Sequence, residues 1–308
     1  MMDIVFMGTP EFAVPSLKIL DDSGYNIKAV VTVPDKPKGR GLNVQESDVK
    51  KFAKGKNYKI LQPAKLNDDE FINKLRELNA DLFVVVAFRI LPEKVYTIPR
   101  LGTFNLHASL LPKYRGAAPI NWAIMNGDKT TGVTTFFLDK SVDTGKIIEQ
   151  REIEISNDDT AGTLHDKLKV LGAETVLSTV KKIESGNVEL IAQDNSRASK
   201  APKIFKDGCR IDWTGFAIDI HNKIRGLSPY PTAWTLLKYK NLKIFKSKLT
   251  EITSNEKPGY IDVTDNKILV NTSDKKLEIL ELQLEGKKRM SSEEFLRGYK
   301  KENLIKFE

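Results

Sequence analysis

Cysteine is almost absent from this 308-residue chain, which contains Cys209 alone. A single cysteine excludes an internal disulfide framework and a cysteine-rich zinc site. Long apolar runs are also missing, since no stretch approaches the roughly 20 residues that a membrane-spanning helix needs. Residues 1–7 have no basic region before their apolar run, so they predict a first buried strand and not a signal peptide. We therefore expect a cytoplasmic protein with no membrane partner.

Two nucleotide-binding motifs are missing as well. No Gly-x-Gly-x-x-Gly pattern follows a predicted strand, and the spacing from Gly127 to Gly132 is followed by Val133, where a Walker motif requires lysine. These absences disfavour a dinucleotide-dependent or nucleotide-hydrolysing enzyme. The Asp-Thr-Gly triplet at residues 143–145 is the one found in aspartic proteases, which need two such aspartates, but it occurs once here in an α/β pattern. Protease activity is therefore disfavoured too.

Apolar patterning divides the chain into two parts. Through the first 185 residues, short apolar runs alternate with helical patterns, which predicts an α/β domain with a mostly parallel sheet. From residue 204 onward, short alternating runs between turn residues predict a small barrel or sandwich, and a five-stranded β-barrel of the oligonucleotide-binding type fits. The polar stretch between them is interpreted as a surface linker. The predicted boundaries are 1–186 for the first domain, 187–205 for the linker and 206–308 for the C-terminal domain.

Two polar side chains stand where one predicted strand ends. Asn105 and His107 are two residues apart, so they point to the same side of an extended strand. In α/β sheets of this kind, ligands bind beyond the carboxyl ends of the strands. Asp143 follows another strand-like run and offers a carboxylate. An amide donor, a general base and an acid that orients the base are the usual parts of an acyl-transfer site, so we predict a catalytic role for all three.

Each of these residues also has a structural interpretation. His107 would then satisfy a hydrogen bond in the core, Asn105 would cap a strand end, and Asp143 would form an Asx turn. The other two histidines, His165 and His221, lie inside predicted helices, where packing or surface roles are expected. His107 differs from them because it ends a strand and precedes a loop rich in proline, arginine and glycine, which favours catalysis.

Positive charge indicates a polyanionic partner. The net charge is +8, and from Lys206 onward there are 20 Lys and Arg against 15 Asp and Glu. The loop at residues 34–41 contains Lys36, Lys38 and Arg40, with a glycine on each side of Arg40. So flexible and charged a loop does not pack in a core, and we predict that it closes over a phosphate-bearing ligand. The alternative is a solvated surface loop.

Several segments together carry a resemblance to a known family. They read Phe-Met-Gly-Thr-Pro-Glu-Phe-Ala at 6–13, Asn-Leu-His-Ala-Ser-Leu-Leu-Pro-Lys-Tyr-Arg-Gly at 105–116, Asp-Thr-Gly at 143–145, Ile-Asp-Trp at 211–213 and Ile-Arg-Gly-Leu-Ser-Pro-Tyr-Pro at 224–231, with the loop at 34–41. Over nearly its whole length the chain thereby resembles the methionyl-tRNA formyltransferases. The Asn-x-His and Ser-Leu-Leu-Pro patterns alone are shared with folate-dependent formyltransferases of purine synthesis and with formyltetrahydrofolate hydrolases. Chain length, the Arg40 loop and the C-terminal domain separate this chain from those shorter proteins.

The resemblance implies a Rossmann-like catalytic domain and a barrel-like C-terminal domain that helps to hold tRNA. It implies formyl transfer from 10-formyltetrahydrofolate to the free α-amino group of methionine on initiator methionyl-tRNA, without a metal, by a monomer. The site residues that it implies are Asn105, His107 and Asp143 for catalysis, Ser109, Leu110, Leu111 and Pro112 beside the folate, and Arg40 at the acceptor stem. Two places depart from the family pattern, because Arg89 stands where glycine is expected and residues 42–45 contain no lysine.

Two rival functions stay open on the sequence. One is formyl transfer to a nucleotide-linked amino sugar or to water, which would be indifferent to tRNA. The other is a nucleic-acid-binding module with a vestigial catalytic domain, which the intact set of Asn105, His107 and Asp143 disfavours.

Overall fold

The computed structural model of the chain describes residues 2–38, 43–299, 302 and 304–308. The chain forms two compact units, which are described in turn. Unit 1 comprises Met1–Gly116, Thr131–Ile153 and His165–Lys200. Unit 2 comprises Ala117–Thr130, Glu154–Leu164 and Ala201–Glu308, so two short segments from before residue 165 group with the C-terminal residues.

The strands before residue 202 belong mainly to unit 1. They are β1 (Asp3–Gly8), β2 (Asn26–Val31), β3 (Lys36–Lys38), β4 (Asn43–Gln45), β5 (Ile60–Leu61), β6 (Leu82–Val86), β7 (Thr103–His107), β8 (Arg115–Gly116), β9 (Thr130–Phe137), β10 (Ile147–Glu154) and β11 (Lys200–Ala201). Seven of them form one sheet in the order β10-β9-β7-β6-β1-β2-β5. Along the sheet, β7, β6, β1, β2 and β5 each run parallel to their neighbours in this group, whereas β9 runs antiparallel to β7. The short strands β3 and β4 pair as a separate antiparallel hairpin.

The described residues form eight α-helices. They are α1 (Val14–Asp22), α2 (Asp48–Gly55), α3 (Asp69–Glu77), α4 (Glu93–Tyr96), α5 (Pro119–Met125), α6 (Ala161–Glu184), α7 (Ala217–Leu227) and α8 (Ser292–Gly298). At the start of α2 the Ser47 hydroxyl accepts from the Lys50 amide at 3.1 Å, which satisfies one backbone donor of the first turn. No helix in the described ranges is long and apolar enough to cross a bilayer.

The central strands of unit 1 are buried on both faces. All five residues of β6 are buried, as expected for a strand covered on both sides. On one face, Val5 and Met7 of β1 share a core with Phe71 and Leu75 of α3. This packing fixes the middle of the sheet.

Helix α6 packs closely against the strand that carries the site. A Cβ atom added to Gly172 would lie only 2.7 Å from Cδ2 of Leu106 in β7, so glycine is required for this close approach. Two hydroxyl groups, Thr135 of β9 and Thr179 of α6, are 2.7 Å apart. Strand β7 is therefore held in a fixed position beneath α6.

Unit 2 contains an antiparallel sheet. Its strands are β12 (Ala233–Leu237), β13 (Lys240–Thr253), β14 (Ile261–Thr264), β15 (Lys267–Asn271), β16 (Lys275–Leu284) and β17 (Met290–Ser291). Their order is β12-β13-β16-β15-β14, with β17 beside β16. The register between β13 and β16 shifts at three places, and such bulges bend and twist a strand pair. Ile220 and Ile224 of α7 pack in the core of this sheet.

The predicted fold class is confirmed: a mostly parallel α/β domain precedes a small antiparallel domain of the barrel type. Helix α8 begins with a reciprocal capping box, which Ser291 and Glu294 form. Strand β10 and the β3–β4 hairpin have no counterpart among the predicted elements. Six of the eight residues of β10 alternate between half-buried and exposed, so its apolar signal is weak.

Candidate active site

The end of β7 carries the first two predicted site residues. Asn105 pairs with Val85 of β6 on one side and with Phe136 of β9 on the other, so its position in the sheet is fixed. Within the described residues the Asn105 side chain makes no hydrogen bond to protein, and it lines an open cleft. Its amide is therefore free to bind a ligand.

His107, the last residue of β7, is buried with one ring nitrogen engaged. Its Nε2 atom lies 2.9 Å from the backbone carbonyl of Tyr114, which can only accept a hydrogen bond. Nε2 must therefore carry the proton, and in the neutral imidazole Nδ1 has a free lone pair. The Tyr114 carbonyl selects the tautomer.

The loop after β9 brings Asp143 to the other ring nitrogen. The Asp143 Oδ2 atom is 3.9 Å from Nδ1 of His107 and accepts from the Gly116 amide at 2.9 Å. At 3.9 Å there is no direct hydrogen bond, but a protonated imidazole would be stabilised by the carboxylate. The structure thus brings together two residues that are 36 positions apart in the chain.

Asp143 sits in an unusual backbone conformation within a tightly bonded loop. Its φ of 58° lies in the left-handed region, which aspartate tolerates better than most residues. Earlier in the loop, Asp139 accepts hydrogen bonds from the Ser141 amide at 3.0 Å and from the Thr144 hydroxyl at 2.7 Å. The loop therefore holds its shape through its own side chains.

A cleft that is open to solvent lies beside Asn105 and Asp143. It is lined by residues from β6, β7, α4 and the loops that follow β6 and β9: Val85, Phe88, Arg89, Ile90, Leu91, Tyr96, Asn105, Leu138, Asp139, Lys140, Ser141, Val142 and Asp143. Aromatic and aliphatic side chains together with polar groups suit an organic ligand that has both apolar and polar parts.

Arg89 forms part of this cleft, at the place where the family pattern has glycine. Its guanidinium donates to the carbonyls of Pro63 at 2.8 Å and Ala64 at 3.1 Å, and it lies 5.2 Å from the Phe88 ring centre. Burial lowers the pKa of Arg89 below its ordinary value, although an arginine stays charged in proteins. The side chain therefore ties the loop after β6 to the loop after β5.

The four residues predicted beside the folate follow His107 directly and do not line this cleft. They are Ser109, Leu110, Leu111 and Pro112. The buried Ser109 hydroxyl donates to the Lys113 carbonyl at 2.6 Å, and the Ser109 carbonyl accepts from the Thr134 hydroxyl at 2.6 Å. These bonds give the loop after His107 a defined course.

Two of the predicted tRNA-binding residues, Lys36 and Lys38, lie in β3, which pairs with β4. Lys36 is exposed in β3, and the backbone of Lys38 pairs with that of Asn43 in β4. Arg40 lies outside the described residues. The base of the hairpin is anchored by Asp35, whose carboxylate accepts hydrogen bonds from Lys50 and Gln62, and the Lys50 ammonium holds the pKa of that carboxyl below its usual value.

The other histidines take structural places, as predicted. His165 contacts the Phe12 ring, with centroids 5.2 Å apart. His221 is 3.0 Å from the Ser247 hydroxyl, and burial lowers the pKa of His221 to about 4.

One cluster among the described residues has the ligand types for a metal, namely Glu11, His165 and Asp166. The Lys169 ammonium already lies 2.6 Å from Glu11 and 2.9 Å from Asp166, so it takes the place of a cation. This cluster is explained as an ion-pair network.

Sequence reasoning did not find the walls of the cleft. Phe88, Ile90 and Leu91 follow β6, so the rule that ligands bind beyond the carboxyl ends of parallel strands was a usable signal for them. Val142 and its neighbours follow the antiparallel strand β9, to which that rule does not apply.

Comparison with known proteins agrees with this fold. A family model described as formyl transferase matches residues 2–180, and one described as formyl transferase, C-terminal domain, matches residues 203–300. Among solved structures, the sugar 3N-formyl transferase WlaRD, determined with dTDP and 5-N-formyl-THF, has a TM-score of 0.69 at 22% identity. That match covers 94% of this chain and 99% of WlaRD.

HypX from Aquifex aeolicus, solved with tetrahydrofolic acid, matches with a TM-score of 0.66 at 17% identity. The match covers 96% of this chain and 47% of HypX, so this chain spans about half of that longer protein. Both likenesses concern the fold. Fold, site and family models together define a formyl transferase with its C-terminal domain.

Curated relatives show which family of formyl transferases the chain belongs to. The methionyl-tRNA formyltransferase of Bacteroides thetaiotaomicron is 50% identical, and the match covers 96% of this chain and 95% of the relative. The methionyl-tRNA formyltransferase of Caldanaerobacter subterraneus is 49% identical, with 97% of each chain covered. This chain belongs to the methionyl-tRNA formyltransferase family and is an enzyme that transfers a formyl group.

Proposed function

We propose that Asn105, His107 and Asp143 catalyse formyl transfer from 10-formyltetrahydrofolate to the α-amino group of methionine on initiator tRNA. One observation carries this proposal: a free amide and a carboxylate line one cleft, and the carboxylate lies 3.9 Å from the unprotonated nitrogen of a buried histidine. The amide is the hydrogen-bond donor, the histidine is the base, and the carboxylate orients and supports that base.

The cleft suits the formyl donor. 10-Formyltetrahydrofolate is a flat bicyclic ring joined to an aryl amine, and it supplies a formyl group that its aryl nitrogen already activates. Phe88, Leu91 and Tyr96 offer aromatic and aliphatic surface, and Asn105 and Asp143 offer polar groups. The bonded loop at residues 109–112 would border the donor on the side of His107.

Each catalytic side chain has a defined task. The α-amino group of the acceptor has a pKa near 7.7 to 8.0 in model peptides and lower beside an ester, so much of it is neutral at pH 7. The main barrier is therefore the negative charge that builds on the formyl oxygen, and the Asn105 amide donates a hydrogen bond to it. Nδ1 of His107 takes the proton that the amine releases and returns it to N10 of the folate as the bond between the formyl carbon and N10 breaks, so that tetrahydrofolate leaves. Asp143 stabilises the imidazolium between these two proton transfers.

Cationic and aromatic side chains in the C-terminal part support tRNA binding. Lys206 and Arg210 lie 5.9 and 5.8 Å from the Trp234 ring, and Lys203 lies 5.5 Å from the ring of the exposed Phe205. Such groups suit phosphates and unstacked bases. We propose that residues 1–186 perform the chemistry, that residues 187–205 link the two domains and that residues 206–308 help to hold tRNA, in a monomeric enzyme of the cytoplasm.

The acceptor is tested by one assay with radiolabelled formyl donor. We expect label on initiator methionyl-tRNA and none on uncharged tRNA, because the free α-amino group of the ester is the nucleophile. A nucleotide-linked amino sugar and a reaction without acceptor serve as controls for the two rival reactions. Label on the sugar, or release of formate at the same rate without acceptor, would contradict the proposed acceptor.

Arg40 is expected to act in tRNA binding and not in chemistry. Replacing Arg40 by alanine should raise KM for methionyl-tRNA by about tenfold, which corresponds to about 1.4 kcal/mol, and leave transfer to a small amine acceptor unchanged. Lys51→Ala is a matched control, because Lys51 is an exposed cation of α2 outside the hairpin. An Arg40→Ala enzyme with the parent KM for tRNA would remove Arg40 from recognition.

A further inference from the structure

The segment from Ile191 to Ser199 is attached to the active-site loops by specific hydrogen bonds, although the sequence places it in a linker. Ile191 exchanges two backbone hydrogen bonds with Ile147, at 2.8 and 3.0 Å. At the other end, the Ser199 hydroxyl accepts from the Tyr114 amide at 2.9 Å. Tyr114 is the residue whose carbonyl holds His107. The segment therefore supports the loop beside the catalytic histidine.

Gln193 makes the central contacts of this segment. All residues from 191 to 200 are described, and each is exposed except Gln193, which is half-buried. Its Nε2 group donates to the backbone carbonyl of Asp143 at 3.0 Å and to that of Gly145 at 2.8 Å. Its Oε1 atom accepts from Nε and Nη2 of Arg115 at 3.1 and 2.6 Å. One amide thus joins four partner atoms.

Only one orientation of the Gln193 amide satisfies these neighbours. The carbonyls of Asp143 and Gly145 can only accept hydrogen bonds, and the guanidinium of Arg115 can only donate them. A flipped amide would place oxygen against oxygen and NH₂ against NH. The side chain is therefore fixed by its chemistry.

Gln193 is bonded to the strained part of the catalytic loop, residues 143–145. Asp143 has a φ of 58°, which for a residue other than glycine costs free energy unless the surroundings enforce it. Gly145 is closely packed, because a Cβ atom there would be 1.7 Å from the Phe137 carbonyl oxygen. The Gln193 amide bonds to the carbonyls on either side of Thr144 and so fixes the direction in which the Asp143 side chain leaves the backbone.

We propose that Gln193 is a positioning residue for formyl transfer: it holds the backbone at residues 143–145 so that the Asp143 carboxylate faces Nδ1 of His107. This inference rests on the proposed roles of His107 and Asp143. Gln193 itself does not touch the reacting atoms and acts through Asp143.

The test compares Gln193→Met, which keeps the length of the side chain and removes the amide, with the parent enzyme. We expect kcat to fall roughly ten- to hundredfold, as for a small displacement of a catalytic group, with KM for both substrates unchanged. Asn195→Ala is the matched control, because Asn195 accepts from the same Arg115 at 2.8 Å without contacting Asp143. It should keep the parent kcat. Parent kcat in Gln193→Met, or an equal loss in Asn195→Ala, would overturn the inference.

A double-mutant cycle separates positioning from general destabilisation. In an Asp143→Asn enzyme, which keeps the shape of the side chain and tolerates the same φ, adding Gln193→Met should cause no further loss of kcat. An equal further loss would show that Gln193 acts elsewhere and would overturn the inference. The Asp143→Asn enzyme alone tests the proposed function, since parent kcat there would refute the role of Asp143 whatever Gln193 does.

Discussion

Replacing His107 by alanine is expected to lower kcat for formyl transfer roughly 10²- to 10⁴-fold, the usual contribution of a general base. Nδ1 is free of protein donors in the neutral tautomer that the Tyr114 carbonyl selects, and Asp143 lies 3.9 Å away to stabilise its protonated form. Without the imidazole, the base that the proposed mechanism uses is lost. Single-turnover rates on methionyl-tRNA would measure the loss.

A second variant distinguishes chemistry from folding. Alanine at residue 107 removes the hydrogen bond from Nε2 to the Tyr114 carbonyl, which costs about 1 kcal/mol of stability. His107→Gln can still donate to that carbonyl but cannot hold a proton. We expect both variants to lose kcat and only His107→Ala to lose Tm. Parent-like turnover in a folded His107→Gln enzyme would refute the base assignment.

Asn105→Ala should lower kcat roughly 10²- to 10³-fold, as expected when one donor to a developing oxyanion is removed. The Asn105 amide lines the cleft and has no hydrogen-bond partner in the described protein, so removing it breaks no bond of the fold. Tm should therefore stay at the parent value. KM for tRNA should also be unchanged, because the interaction forms in the transition state.

Asn105→Asp is the matched control for size. Aspartate fills the same space but presents acceptors to the developing negative charge, so we expect a loss at least as large as with alanine. If either enzyme keeps the parent kcat while folate binding is intact, Asn105 does not stabilise the oxyanion.

The site was predictable where local rules apply. A spacing of two residues places Asn105 and His107 on one face of any strand, and the carboxyl end of a parallel strand is where ligands bind. The composition of β6 is also a local signal, since five consecutive apolar residues are typical of a strand that is covered on both faces. For His165 in α6 and His221 in α7, a structural role was predicted only because each lies inside a predicted helix.

Several features depend on contacts between distant parts of the chain. The tautomer of His107 depends on Tyr114, whose carbonyl reaches Nε2 only because the loop after β7 turns back. Arg89 donates hydrogen bonds to the carbonyls of Pro63 and Ala64, and no sequence rule predicts these two contacts. The polar composition around Gln193 indicates a linker. The same composition fits a linker that is detached and one that is hydrogen-bonded to a catalytic loop.

The sequence by itself determined the catalytic residue types, the α/β and small β domains, and the family resemblance, because periodicity and spacing are local properties of the chain. Only the tertiary structure decided that Asp143 lies 3.9 Å from His107, that aromatic and aliphatic residues after β6 form the cleft, and that Gln193 holds the Asp143 backbone. The reason is physical: hydrogen bonds and packing between residues far apart in the chain require the packed sheet to bring them together, and their geometry is set only when it forms.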